Sequence, residues 1–221
     1  MTYDLVEMFV SINGEGRKVG QLAVFVRLKG CNLNCSYCDT SWANTPDAKC
    51  TPMTANEIYA KVKETKVRNV TITGGEPLWR EGAKELLETF AKDIELNIEI
   101  ETNGSIDLQP FISIDNRPSF TMDYKLPGSD MEPQMNLNNL KILDKRDVVK
   151  FVAGSREDLD KAREIIDRFE LVSRCNVYIS PVFGEIKLPD IVEYMKEYKM
   201  NDVNMQLQMH KFIWNPDERG V

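Results

Sequence analysis

Three of the chain's five cysteines fall in one short run, Cys31-Asn32-Leu33-Asn34-Cys35-Ser36-Tyr37-Cys38, and no other feature narrows its fold and chemistry as far. An odd cluster of neighbouring thiols leaves one sulfur without a partner, so the run is a poor disulfide framework. Three thiolates can instead wrap one face of a metal centre. A mononuclear zinc site calls for a fourth Cys or His at a matching spacing. An iron–sulfur cube has four irons, so three cysteines leave one iron without a protein ligand. A small molecule can bind and react there. The spacing points to a reactive centre rather than a structural one.

Composition sets the surroundings of that centre. The 221 residues, 42% apolar and 29% charged, suit one globular domain over 1–221 with a sizeable core. No run approaches the roughly 18 apolar residues of a membrane span, so no membrane partner is expected. The opening Met1-Thr2-Tyr3-Asp4-Leu5-Val6-Glu7 lacks a basic stretch followed by an apolar one, which argues against secretion. Cysteines used in this way fit the reducing cytoplasm. A net charge of −7 speaks against a nucleic-acid partner, which would call for a basic face. Cys175 reads as a small core hydrophobe and Cys50 as a loop thiol. His210 is the single histidine, which makes Ser–His or Cys–His nucleophilic catalysis a poor starting assumption. In its apolar C-terminal stretch it reads as structural.

Short β-rich runs recur along the chain: Leu22–Leu28, Asn69–Thr73, Asn97–Glu101, Ser119–Asp123, Asp147–Val152, Asn176–Ser180 and Val203–Leu207. Amphipathic helical patterns lie between them. Thr54 and Glu57 form a capping box ahead of Ile58 and Val62. Ser155 opens a helix with Leu159, Ala162, Ile166 and Phe169 on one face. Pro189 suits the first turn of a helix carrying Ile191, Val192, Met195 and Tyr198. Alternating strands and helices predict an α/β fold with a parallel sheet and right-handed crossovers. A complete eight-fold barrel takes about 250 residues, so this chain has room for about six units and a partial, open barrel is expected. The polar clusters Cys31–Thr40, Gly74–Pro77, Glu101–Gly104 and Asp123–Lys125 all follow strands, where a parallel barrel builds its sites.

The Cys-x-x-x-Cys-x-x-Cys run with Tyr37 before its last cysteine, joined to Thr73-Gly74-Gly75-Glu76-Pro77 at a strand end, resembles the radical S-adenosylmethionine superfamily. The resemblance implies that Cys31, Cys35 and Cys38 hold a 4Fe–4S cluster whose open iron is chelated by S-adenosylmethionine. It further implies a low cluster potential, one-electron cleavage to methionine and a 5′-deoxyadenosyl radical, and hydrogen abstraction by that radical. Cofactor contacts are implied for Tyr37, Gly74, Gly75 and Glu76, the glycines letting the backbone approach the methionine moiety. Asp123, Tyr124 and Lys125 align with a Ser-Pro-Lys cofactor segment of which only the lysine is kept. Ser180 opens Ser-Pro-Val-Phe where members carry Gln-Pro-x-Asp, so its polar contacts must differ.

Outside the cysteine loop, Phe9-Val10-Ser11-Ile12-Asn13-Gly14-Glu15-Gly16, Phe25-Val26-Arg27-Leu28, Cys38-Asp39-Thr40, Glu101-Thr102-Asn103-Gly104, Val149-Lys150-Phe151-Val152 and Gln208-Met209-His210-Lys211-Phe212 resemble the 7-carboxy-7-deazaguanine synthase family over nearly the whole chain. That resemblance implies ring contraction of 6-carboxy-5,6,7,8-tetrahydropterin with loss of ammonia, S-adenosylmethionine being regenerated and Mg2+ required, on the route to queuosine and related 7-deazapurines. It also implies a homodimer and an electron donor such as flavodoxin or ferredoxin.

The residue types suit such a substrate. A pterin presents a guanidine-like donor edge, for which Glu15 and backbone groups of Ile12, Asn13 and Gly14 match the family's segment. Arg27, a lone charge in an apolar strand, needs an anionic partner and offers a fork to the substrate carboxylate. Thr73 matches a substrate contact. Thr40 matches a magnesium-ligand position, a thin protein ligand set that suits an ion keeping most of its waters. Asp39 could hold a metal-bound water or cap the loop. Pro216 falls where some members end and present a terminal carboxylate to the substrate, but this chain runs on through Asp217–Val221. Two rivals stand beside this reading. A glycyl-radical-enzyme activase shares the cysteine spacing. A non-catalytic zinc or iron–sulfur module, with Cys50 as fourth ligand, would leave Gly74–Pro77 and Arg27 without a purpose.

Overall fold

The computed structural model describes Met1–Val221. Nine strands form one sheet: β1 (Thr2–Ile12), β2 (Leu22–Leu28), β3 (Thr51–Thr54), β4 (Asn69–Gly74), β5 (Asn97–Thr102), β6 (Ser119–Tyr124), β7 (Val148–Ala153), β8 (Asn176–Pro181) and β9 (Val203–Met205). Their order is β3-β1-β2-β4-β5-β6-β7-β8-β9, with β3 and β9 as free edges, so the sheet is open. Neighbours from β2 to β9 pair in parallel and supply the expected units. All seven anticipated runs become strands within two residues of their expected bounds. β1 and β3 were not anticipated; β1 lies antiparallel to both β2 and β3. Asp4, Glu7 and a register shift between Leu5 and Glu7 break the apolar alternation of β1. Pro52 disguises β3, and an edge strand is where a proline is tolerated.

Side-chain alternation gives the sheet two unlike faces. Val70, Ile72, Ile98, Ile100, Phe120, Met122, Val149 and Phe151 belong to one apolar cluster that runs from Tyr3 to Val203 and includes Cys175. Their neighbours Thr71, Thr73, Glu99, Glu101, Thr121, Asp123 and Lys150 project to the opposite face. A polar row inside a parallel sheet is costly unless a site needs it.

The helices cover the apolar face. Ala55–Glu64 starts at Thr54, whose side chain and that of Glu57 cap reciprocally, and it buries Ile58 and Val62. Ala83–Ala91 buries Leu86, Leu87 and Phe90. Arg156–Arg168 is capped by Ser155 and buries Leu159, Ala162, Ile165 and Ile166. Leu188–Glu197 has Pro189 in its first turn and buries Ile191 and Tyr194, while Val192 faces solvent. Ile191, Met195 and Tyr198 meet the core as expected, and Tyr194, not anticipated there, is also buried, its hydroxyl donating to Asp160 Oδ1 at 2.7 Å.

One buried ion pair joins the entries to β6 and β7. Arg117 donates to Asp147 through both terminal nitrogens, at 2.9 and 2.8 Å, and Asp147 also accepts the amides of Phe120 and Asp144. Asp147→Ala leaves the buried guanidinium with only the half-exposed Asp144, 3.0 Å away, as its anion and should cost roughly 3 kcal/mol in chemical denaturation. A loss near zero would contradict that role.

Glu99 is buried on the polar face and accepts the Thr121 hydroxyl, and burial pushes its carboxyl up to about 7. A carboxyl that holds its proton more tightly when folded favours the fold below its unfolded value of 4.5 and loses that contribution as pH rises to about 7. Glu99→Gln should therefore flatten the fall in melting temperature across this window. An unchanged slope would show that Glu99 does not titrate there.

Candidate active site

A cavity of about 670 Å3 opens at the C-terminal ends of the parallel strands. Its walls bring together Ile12, Gly14, Glu15, Arg27, Cys31, Cys35, Tyr37, Cys38, Thr40, Thr73, Gly74, Gly75, Asp123, Lys125 and Pro216, although the sequence scatters them from residue 12 to residue 216.

The cysteine loop leaves β2 and is pinned from several sides. Ser36 donates through its amide to Ser129 O at 3.2 Å and through its hydroxyl to Gly128 O at 2.7 Å. The Tyr37 hydroxyl donates to Val152 O at 3.3 Å, and burial pushes the phenol well above its ordinary range. Burial likewise raises the Cys31 and Cys35 thiols, while the Leu33 amide and the Asn103 side chain, 3.4 and 3.5 Å from Cys31 Sγ, favour thiolate at that sulfur. The three cysteines are half-buried, and Cys50 does not line the cavity. No three Cys, His, Asp or Glu side chains converge tightly enough for one ion.

The glycines at 74 and 75 serve a purpose the sequence reading did not foresee. Gly74 has φ +139°, and a Cβ there would strike the backbone of Leu28; one on Gly75 would strike Gly30 O. The end of β4 therefore lies directly against the end of β2 and the start of the cysteine loop. Gly75 N donates to Leu28 O at 3.2 Å, and Glu76 N donates to Gly30 O at 2.9 Å.

Glu76, read as a cofactor contact, keeps its side chain off the cavity wall. Its carboxylate is buried and accepts Asn103 N at 2.6 Å, Thr102 Oγ1 at 2.9 Å and Leu78 N at 3.0 Å. Burial raises it to about 7 against these donors. Asn103 in turn reaches Cys31 and Asn32, so Glu76 supports the cluster loop from behind. Tyr124 is also off the wall: strand alternation turns it into the core against Phe151, while Asp123 and Lys125 face the cavity. Ser180 is fully buried and its hydroxyl has no partner, but it too is absent from the wall. Asn13 lies beneath the surface. Its carbonyl accepts Gly20 N and its side chain accepts the Thr71 hydroxyl, both at 2.8 Å, so the expected backbone carbonyl is already engaged.

Arg27 finds an anion within the chain, donating through Nε to Glu7 Oε1 at 2.7 Å. That bond engages Nε and leaves both terminal nitrogens without a partner in the chain, on a residue that lines the cavity. Asp39, whose side chain is half-exposed, pairs with Lys211 Nζ at 3.1 Å, and Lys211 holds its carboxyl low. Thr40 Oγ1 lies 3.7 Å from Cys38 Sγ and lines the cavity. Lys125 Nζ is 2.8 Å from Asp123 Oδ2; burial works against its charge, but Asp123 keeps it above the ordinary lysine range.

Three residues on or next to the wall were given no site role from the sequence. His210, expected to be structural, stands so close to Gly14 that a Cβ there would lie 2.5 Å from its Nδ1. Gln206 exchanges hydrogen bonds with the Gly16 backbone at 2.7 and 3.0 Å, which brings the C-terminal segment onto the Glu15 loop. Lys150 lies 3.1 Å from Glu15. Its signal was a lone charge in an apolar strand, the same signal read for Arg27. Pro216 reaches the cavity without a terminal carboxylate, and Asp217–Val221 extend the wall, with the Arg219 guanidinium 4.1 Å from the Trp42 ring centroid.

The vacant polar atoms fit the groups the cysteines imply. Glu15 Oε1, Asn44 Oδ1 and Asp123 Oδ1 are buried on this wall with no hydrogen-bond partner in the chain. Acceptors left in this state call for donors from a ligand. Amine, hydroxyl and amidine groups supply such donors.

The comparisons with known proteins agree with this geometry. A model described as the Radical SAM superfamily matches residues 25–114. A protein of Clostridium acetobutylicum named 7-carboxy-7-deazaguanine synthase is 58% identical over 221 residues, covering 100% of both chains. A protein of the same name from Leptospira interrogans is 36% identical, covering 97% of this chain and 96% of its own. The crystal structure of QueE from Escherichia coli has the same fold, with a TM-score of 0.69, 21% identity and 94% of each chain covered. Its cavity, its cysteine loop and its full-length likeness to these relatives place the chain in the 7-carboxy-7-deazaguanine synthase family of radical S-adenosylmethionine enzymes, which use a 4Fe–4S cluster and S-adenosylmethionine.

Proposed function

We propose that this chain converts 6-carboxy-5,6,7,8-tetrahydropterin to 7-carboxy-7-deazaguanine, with loss of ammonia. The observation that carries the reading is one cavity in which the cysteine loop faces both an acceptor, Glu15, and a cation, Arg27. Its volume of about 670 Å3 is in the range of small-molecule sites.

Cys31, Cys35 and Cys38 would hold the cluster, and Asn44, Gly74, Gly75, Asp123 and Lys125 would surround S-adenosylmethionine. When bound, the two supply a carbon-centred radical by one-electron cleavage of the sulfonium. The chain's own residues bind and orient the substrate. Glu15 Oε1 accepts from the guanidine-like edge, and fixed backbone around Ile12 and Gly14 sets the ring against it. The free fork of Arg27 takes the substrate carboxylate, with Glu7 steadying the guanidinium. Thr73 contributes a hydroxyl beside Arg27, its register partner across β2 and β4. Thr40 is the magnesium position in this reading, with water and substrate oxygens completing the shell. The Asp217–Val221 segment narrows the mouth and helps to exclude water.

The proposal extends to a homodimer working in the cytoplasm, with flavodoxin or ferredoxin as electron donor. No helix is long and apolar enough to cross a membrane.

The test is an anaerobic assay with reconstituted, reduced protein, S-adenosylmethionine and the pterin. Ring-contracted product should accumulate, faster with magnesium than with a chelator, and Thr40→Ala should blunt the magnesium response at unchanged iron content. Accumulation of only methionine and 5′-deoxyadenosine would defeat the substrate assignment. A normal magnesium response in Thr40→Ala would remove Thr40 from the metal site.

A further inference from the structure

Lys150 is the one charged residue of β7, flanked by Val149 and Phe151 on the core side. Its own side chain is only 10% exposed and crosses the polar face of the sheet to Glu15, which is equally enclosed. The ammonium lies 3.1 Å from Glu15 Oε2 and 3.9 Å from Asp123 Oδ2. Gln208 Nε2 approaches the same Glu15 oxygen at 3.4 Å. The other oxygen, Oε1, is buried and has no partner. Asp123 already has a nearer cation, Lys125 at 2.8 Å. The arrangement is asymmetric: one edge of the Glu15 carboxylate is clamped and the other has no partner, on a residue that lines the cavity.

We propose that Lys150 is a positioning residue of the substrate site: it fixes Glu15 through Oε2 so that Oε1 stays free to accept from the donor edge of the bound pterin. The inference rests on the substrate reading given above. Glu15 sits on a loop far from Lys150 in sequence, and Gln206 and Met209 hold only the backbone of that loop, at Gly16 and Gly14. Lys150 and Gln208 fix the side chain. The other charges around the carboxylate are Asp123 and Glu101 from the sheet and His210, Lys211 and Asp39 from the mouth. Burial opposes the Lys150 charge, but Glu15, Asp123 and Glu101 outweigh it and keep the ammonium well above the ordinary lysine range. Lys150 therefore stays charged across the working pH range.

Replacing it with an apolar side chain leaves a buried carboxylate without its cation, which favours the protonated form. A protonated Glu15 has lost its charge and is a weaker acceptor for the donor edge of the pterin. Lys150→Met should raise the substrate KM by about ten- to a hundredfold, the scale of losing a hydrogen bond to a charged group. The KM should also become pH-dependent, rising as pH falls. Lys150→Arg should keep a flat KM profile, and adding Glu15→Gln to Lys150→Met should abolish the pH dependence. Iron content and S-adenosylmethionine affinity should hold, because Lys125 still pairs Asp123. An unchanged KM in Lys150→Met, or a fall in kcat alone at every pH, would overturn the proposal. So would a pH-dependent KM in Lys150→Arg, which keeps the charge and needs no apolar repacking. Failure of the wild type to turn over the pterin would overturn the substrate reading and this inference together.

Discussion

The close contact between the ends of β2 and β4 organises the cavity mouth. Gly74 and Gly75 lie against Leu28 and Gly30 with no room for a side chain, and two backbone hydrogen bonds close the joint. The cysteine loop begins at that joint, so its direction is set before any cysteine is reached. Glu76 then turns inward and gathers Leu78, Thr102 and Asn103, and Asn103 supports Cys31. The Gly-Gly-Glu segment thus acts largely as scaffolding for the loop that faces it. The glycines serve both functions at once, since they also line the cavity.

The second organising constraint is electrostatic. The polar face of the sheet carries carboxylates at Glu99, Glu101 and Asp123, and the loop after β1 adds Glu15, in a volume largely removed from water. Such groups must be neutralised, paired or given a ligand. Each solution occurs here. Glu99 is shifted towards neutrality by burial, Asp123 pairs with Lys125, and Glu15 is half-paired with Lys150. The acceptors that remain open cluster where the cysteine loop faces the strand ends.

The sequence exposed the parallel half of the sheet because its strands are runs of Val, Ile and Phe with helix caps such as Thr54 and Ser155 between them. It hid β1 and β3, where acidic residues, a register shift and Pro52 blur the pattern. The membership of the site was similarly legible, since its residues follow strand ends in recognisable segments. The facing of individual side chains was not. Glu76 and Tyr124 sit in the right segments but point inward, a consequence of register that only the assembled sheet fixes. Ion-pair partners were also hidden: Glu7 claims Arg27 across two strands, and Lys150 meets Glu15 over a separation of 135 residues. Both cations nonetheless carried the same readable signal of a charge inside an apolar strand.

The proposed chemistry depends most on three cysteines holding a cluster that keeps one iron open to S-adenosylmethionine. Electron paramagnetic resonance of the reduced, reconstituted protein, with and without S-adenosylmethionine, tests this directly. A 4Fe–4S signal should change shape when S-adenosylmethionine is added and disappear in Cys31→Ala, Cys35→Ala or Cys38→Ala. A signal indifferent to S-adenosylmethionine, or a cluster that survives loss of one of these cysteines, would contradict it.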